Sequence, residues 1–190
     1  MKKKSLSILV NMHRMKKLIT HILRAVALSS FIFIASVGVL GAMPSSPSFT
    51  SVSLDGRPVA SSQLIGKKAY IVNFFASWCP PCRAEIPDMV ALQSKYESKG
   101  FTFIGVAVNE TVPSMKRFIV TNKINYPVVM VDDKLIGSFN PLVEGGVRAI
   151  PTSFVVNSSG QVTKVITGAR SKEVLDQIIF ELLRKPVVSK

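Results

Sequence analysis

Asn73-Phe-Phe-Ala-Ser-Trp-Cys-Pro-Pro-Cys-Arg-Ala-Glu-Ile-Pro87 decides the reading, because it sets the chain's only two cysteines, Cys79 and Cys82, between an apolar run and a helical one. Upstream, residues 69–76 are apolar, aromatic and β-branched apart from Asn73, which suits a central strand covered on both faces. Downstream, residues 80–99 read as a helix with Ile86, Met89, Val90, Leu92 and Tyr96 on an inner face, and Gly100 stops it. Pro80 and Pro81 suit a first helical turn, where the missing N–H groups have no intrahelical acceptor. Pro87 lies inside the helix and should bend it or cost it one backbone hydrogen bond.

A disulfide that exists for stability gains most by closing a long loop, and a bridge across two intervening residues constrains the unfolded chain little. A cysteine pair where a strand ends and a helix begins has a chemical purpose instead. The free N–H groups and positive end of the helix favour a thiolate on Cys79, the expected attacking sulfur. Cys82, one turn further in, can then attack the mixed disulfide and release the partner. A four-cysteine zinc site is excluded by the count, and the only histidines, His13 and His21, precede the apolar segment near the N-terminus. The same positions exclude a Cys-His nucleophilic pair, so no metal or cofactor is called for. Glu85, three residues after Cys82, falls on roughly the same helical side; it reads either as a solvated first-turn acid or as a carboxylate near the sulfurs, which would raise the cysteine pKa values and could exchange protons with Cys82. Ile150-Pro151-Thr152 precedes a strand; Pro151 cannot donate to a ladder and fits a turn with a cis peptide.

Residues 49–54 alternate partly before the Asp55-Gly56 turn, and residues 59–64 return and pack. Residues 101–108 give a second covered strand. Pro113 fits a first helical turn and residues 114–121 carry that helix; residues 128–131 follow as a short strand. Residues 152–156 and 161–166 form a hairpin across Asn157-Ser-Ser-Gly160. Ser171 caps a final amphipathic helix with Val174, Leu175, Ile178, Ile179, Leu182 and Leu183 inward. Residues 137–146 read as a surface loop. The order strand, helix, strand, helix, strand, hairpin, helix fits an α/β fold, a mixed central sheet with helices on both faces.

The chain has 190 residues, 47% of them apolar, enough for one domain with a real core. Residues 1–24 carry seven basic residues and no acid, and residues 25–43 are uncharged. As a helix that 19-residue run reaches roughly 28 Å, near the thickness of a bilayer's hydrocarbon core. It is read as a transmembrane anchor, with a long cleaved signal as the alternative; either sends the remainder out of the cytoplasm, since the basic flank stays inside. Residues 1–24 are then a cytoplasmic flank, 25–43 the anchor or signal segment, 44–48 a short linker, and 49–190 the folded domain. Of the 24 basic residues, 17 lie beyond residue 24, against 11 acids, scattered singly and in pairs. Nucleic acid is not the expected partner; a membrane surface is compatible with that charge.

In these residues the chain resembles the thioredoxin superfamily, and more narrowly the TlpA/ResA-like disulfide reductases related to the thiol proteins of cytochrome c maturation. The resemblance covers most of residues 49–183. It rests on the segment 73–87, on Gly105-Val-Ala-Val-Asn109 and Tyr126-Pro-Val-Val129, and on Ile150-Pro-Thr-Ser-Phe154 followed by Gly160 and Gly168. It implies a thioredoxin-like fold, with Cys79 attacking, Cys82 resolving, Glu85 as the active-site glutamate and Pro151 as the cis proline opposite the disulfide. Trp78, Pro80, Pro81 and Ile150 would form the surface that meets the substrate. Ordinary thioredoxins carry a buried Asp where this chain has Asn73, so Glu85 becomes the candidate for proton exchange. The implied partners are disulfide-containing exported proteins, apocytochrome c among them, and a membrane thiol reductase that supplies electrons. An oxidase or isomerase of the same fold is the runner-up, and a noncatalytic Cu(I)-binding module a more distant alternative.

Overall fold

The structure, a computed structural model, describes residues 43–184. The expected basic flank and nearly all of the expected membrane segment lie outside the described residues. Among the described residues no helix is long and apolar enough to cross a membrane.

Among the described residues, seven strands and five helices follow one another. They are β1 (Thr50–Val52), β2 (Pro58–Ala60), α1 (Ser61–Leu64), β3 (Ala69–Phe75), α2 (Pro80–Tyr96), β4 (Phe101–Ala107), α3 (Val112–Thr121), β5 (Val128–Met130), α4 (Asp133–Phe139), β6 (Thr152–Val156), β7 (Val162–Thr167) and α5 (Lys172–Arg184). β1 and β2 pair alone; the main sheet runs β5-β4-β3-β6-β7. β3, β4 and β5 are parallel, whereas β6 and β7 run antiparallel to their neighbours. The fold is therefore α/β with a mixed sheet, as the order of elements predicted.

Every residue of β3 and β4 is buried, which explains why both read as unbroken apolar runs rather than alternating ones. Successive side chains of β3 serve opposite layers. Phe74 packs on Phe139 of α4 and Phe154 of β6 with ring centroids 5.4 and 5.8 Å apart. Its neighbour Asn73 faces the other way and meets Met89 of α2. Across from β3, Gly105 leaves room for Phe75: a Cβ there would stand 2.8 Å from the Phe75 ring and 3.2 Å from Val128.

Three expectations differ from what is observed. The stretch read as a loop, residues 137–146, begins inside α4 and continues as a 3₁₀ turn, Asn140–Leu142. Asp132 caps α4 by accepting from Leu135 N, and buried Leu135 and Phe139 anchor it in the core although Gly137 lies inside it. Val174, assigned to the inner face of the last helix, is 41% exposed; Leu175, Ile178, Ile179 and Leu182 are buried as expected. The linker is partly held down: Pro44 O accepts from Val162 N at 2.8 Å and Ser46 N donates to Gly160 O at 2.7 Å, covering part of the edge of β7.

One polar contact has no signature in the apolar pattern. β5 is short and its register on β4 begins at Gly105, so Phe103 N–H finds no ladder partner on that side. Buried Gln93 of α2 supplies one, its Oε1 accepting from Phe103 N at 2.9 Å.

Candidate active site

Cys79 occupies the N-cap of α2, with Pro80 and Pro81 in the first turn and Cys82 facing inward. The two sulfurs are joined, the Cα atoms standing 5.3 Å apart. Cys82 N–H donates to Cys79 Sγ at 3.3 Å. That donor is one of the orphan amides of the helix start, so it would stabilise negative charge on Cys79 once the bond is reduced. In the disulfide both cysteines are buried, Cys82 slightly more than Cys79.

The loop before β6 comes up beside the bond. The Ile150–Pro151 peptide is cis, and the Ile150 carbonyl oxygen lies 3.8 Å from Cys79 Sγ. Pro151 is buried and Ile150 half-buried. Pro80 and Pro81 are exposed on one side of the pair, and Trp78 is 57% exposed next to Cys79. The indole does not hang free: Nε1–H donates to Asn109 O at 3.2 Å, and Asn109 takes a left-handed φ of 51°. The same two loops are tied a second time, Glu110 Oε1 accepting from Ser77 N at 2.6 Å. Arg83 adds a bond from Nη1 to Ser77 O at 3.1 Å and lies over the Phe118 ring at 5.6 Å. These loops follow adjacent parallel strands, β3 and β4, so both emerge at the same sheet end.

Glu85 lies one turn beyond Cys82 on the buried side of α2. Burial pushes its carboxyl above the usual carboxylate range, opposed by a hydrogen bond from Arg170 N–H and the charge of the Arg170 guanidinium, with Asp88 adding a small push upward. Further along the same helical stripe, Met89 Sδ receives Asn73 Nδ2 at 3.3 Å and the Tyr126 hydroxyl at 3.9 Å. Asn73 Oδ1, fully buried, has no hydrogen-bond partner. Burial drives the Tyr126 hydroxyl far up, and the charge of Glu85 adds to it.

The structure thus brings Trp78, Cys79, Pro80, Pro81, Cys82, Ile150 and Pro151 to one end of the sheet, with Glu85 beneath. Sequence reasoning missed Arg170, Glu110, Asn109 and Arg83. Glu110 acts on a main-chain amide and Arg170 partly through its own, so side-chain chemistry could not flag them. Arg83, adjacent to Cys82, was open to the inference that it steadies the loop.

A Cys-x-x-Cys disulfide at a helix start, facing a cis-proline loop across the end of a mixed five-stranded sheet, defines a thiol-disulfide oxidoreductase of thioredoxin fold. A model of the Redoxin family matches residues 42–179. The thiol-disulfide oxidoreductase ResA of Bacillus thuringiensis (strain Al Hakam) is 34% identical over 131 residues, 68% of this chain and 72% of the relative. ResA of Bacillus subtilis (strain 168) is 30% identical over 129 residues, 68% and 69% of the two chains. Among solved structures, a thiol:disulfide interchange protein of the thioredoxin family from Chlorobium tepidum TLS superposes with a TM-score of 0.73 at 52% identity, covering 75% of this chain and 98% of that one. StoA from Bacillus subtilis gives 0.58 at 27% identity, covering 71% and 98%. The chain belongs to the Redoxin family and, within it, to the TlpA/ResA-like thiol-disulfide oxidoreductases.

Proposed function

We propose that the protein works outside the cytoplasm, held at the membrane by residues 25–43, as a reductant of disulfides in exported proteins. The haem-binding Cys-x-x-Cys-His of apocytochrome c is the favoured substrate. The observation that supports this reading is the buried carboxyl of Glu85 one helical turn beyond Cys82. A helix start alone would favour the thiolate and hence an oxidising pair; an acid beside the inner cysteine opposes thiolate formation and shifts the pair toward reduction.

In the reduced enzyme the Cys79 thiolate, stabilised by Cys82 N–H, attacks one sulfur of the substrate disulfide. That S–S bond breaks, a Cys79–substrate bond forms, and the departing substrate thiolate takes a proton. Glu85 accepts the Cys82 proton, and the Cys82 thiolate attacks Cys79 Sγ. The mixed disulfide breaks, the second substrate thiolate leaves and is protonated, and Cys79–Cys82 closes. Two electrons have passed to the substrate, and a membrane dithiol returns two to the enzyme. Trp78 and Ile150, with Pro80 and Pro81, would hold the substrate chain against Cys79.

The test is capture in cells with Cys82→Ser, which leaves Cys79 bonded to its clients. Recovery of apocytochrome c supports the proposal. Recovery of an unselected range of secreted proteins in its place would redirect it to general disulfide repair. Cys79→Ser should capture nothing and abolish turnover.

A further inference from the structure

Glu85 and Arg170 are far apart in sequence, yet Arg170 N–H donates to Glu85 Oε1 at 3.0 Å. The donor sits in the connection between β7 and α5, where Gly168 takes φ 85°. The Arg170 side chain folds back over this connection. Its Nη1 donates to Ala169 O at 2.9 Å and Gly168 O at 3.1 Å, and its Nη2 to Thr167 O at 3.3 Å. One planar guanidinium therefore fixes three successive carbonyls, which a lysine ammonium cannot match in that geometry. The same turn reaches the opposite wall of the site: Gly168 N donates to Pro151 O at 2.8 Å.

We infer that Arg170 is a positioning residue for Glu85: its guanidinium locks the turn whose backbone N–H holds the carboxyl in place beneath Cys82, and the same turn is tied to the Pro151 loop. This rests on the proposal that Glu85 accepts the Cys82 proton. The groups acting on Glu85 come from three directions. Asp88 shares its helix, Tyr126 presents a buried hydroxyl from the segment before β5, and Arg170 approaches from the turn before α5. Asp88 and Tyr126 contribute no positive charge; Arg170 contributes a cation and a directed N–H, both favouring the ionised carboxylate. Loosening the turn raises the proton affinity of Glu85, so Cys82 loses its acceptor at acidic pH and regains it at alkaline pH. A merely structural role would lower the rate equally at all pH values.

The experiment follows a single turnover of the pre-reduced full chain, in detergent, with an oxidised Cys-x-x-Cys-His peptide from pH 5 to 9. Fluorescence of Trp78, the only tryptophan, reports the step. Wild type is compared with Glu85→Gln, Arg170→Ala, Arg170→Lys and the Glu85→Gln/Arg170→Ala double variant. Arg170→Ala should be about tenfold slower at the acidic end and converge on wild type at the alkaline end. Arg170→Lys should follow Arg170→Ala, and Arg170→Ala should change nothing on the Glu85→Gln background. An Arg170→Lys profile matching wild type, a pH-independent loss in Arg170→Ala, or an Arg170→Ala curve superimposed on wild type while Glu85→Gln departs from it overturns the inference and leaves the role of Glu85 standing. A Glu85→Gln profile identical to wild type removes the proposal beneath it.

Discussion

Asn73 occupies the middle of β3, fully buried, with its amide nitrogen on the Met89 sulfur and its oxygen without a hydrogen-bond partner. A neutral amide tolerates that site because it carries no charge to desolvate, whereas a carboxylate there would have no cation to meet. Asn73→Asp should therefore bury an acid whose folded-state pKa is raised. The folded state would then bind more protons than the unfolded one, so stability falls as the pH rises above about 4. We expect the variant to be weaker than wild type by roughly 1–3 kcal/mol or more at pH 7.5 and close to it at pH 4, read from urea unfolding of the oxidised proteins. Equal losses at both pH values would mean the residue acts through packing.

Among the elements, α2 does two separate jobs. Its N-terminus supplies the reactive bond, and three turns further on Gln93 closes a gap in the sheet by accepting from Phe103 N–H. Replacing Gln93 by Leu keeps the bulk and leaves a buried amide unpaired. The expected cost is about 1–3 kcal/mol in denaturant unfolding, with the single-turnover rate unchanged. α4 is anchored differently, through Phe139 within the Phe49, Phe74 and Phe154 cluster, where its centroid lies 4.8 Å from that of Phe154. Phe139→Ala should cost about 3–5 kcal/mol by leaving a cavity at the centre of that layer. A loss under 1 kcal/mol would show that α4 docks without this ring.

At the scale of the whole molecule, acids shifted in opposite directions make stability depend on pH, with Glu85 raised and Asp55 lowered among them. Burial gives Glu85 a higher proton affinity in the folded chain than in the unfolded one, so its contribution is most favourable below about pH 4 and is lost as the pH rises through the folded value. Asp55 is held well below the usual range by its hydrogen bonds to Arg57 and Ser53, so its contribution is present above about pH 4 and is lost on acidification. Asp55 is exposed, which keeps its effect small. Denaturation midpoints across pH 3–9 should flatten on the neutral side in Glu85→Gln and on the acid side in Asp55→Asn. An unaltered neutral slope in Glu85→Gln would place the titrating group elsewhere.

The sequence alone determined the covered strands β3 and β4, the helix start bearing Cys79 and Cys82, and the class of chemistry, because these follow from apolar runs, breakers and spacing that act over a few residues. It also placed Glu85 on the side of the cysteines, since three residues are nearly one helical turn. What surrounds that carboxyl was settled only by the tertiary structure, which carries the β7–α5 turn to α2 and Gly168 to Pro151. The same holds for α4, where burial of Leu135 and Phe139 outweighs the weak helix propensity of Gly137. Backbone amides look alike in every sequence, so contacts made through them become specific only when the fold decides which distant amide arrives.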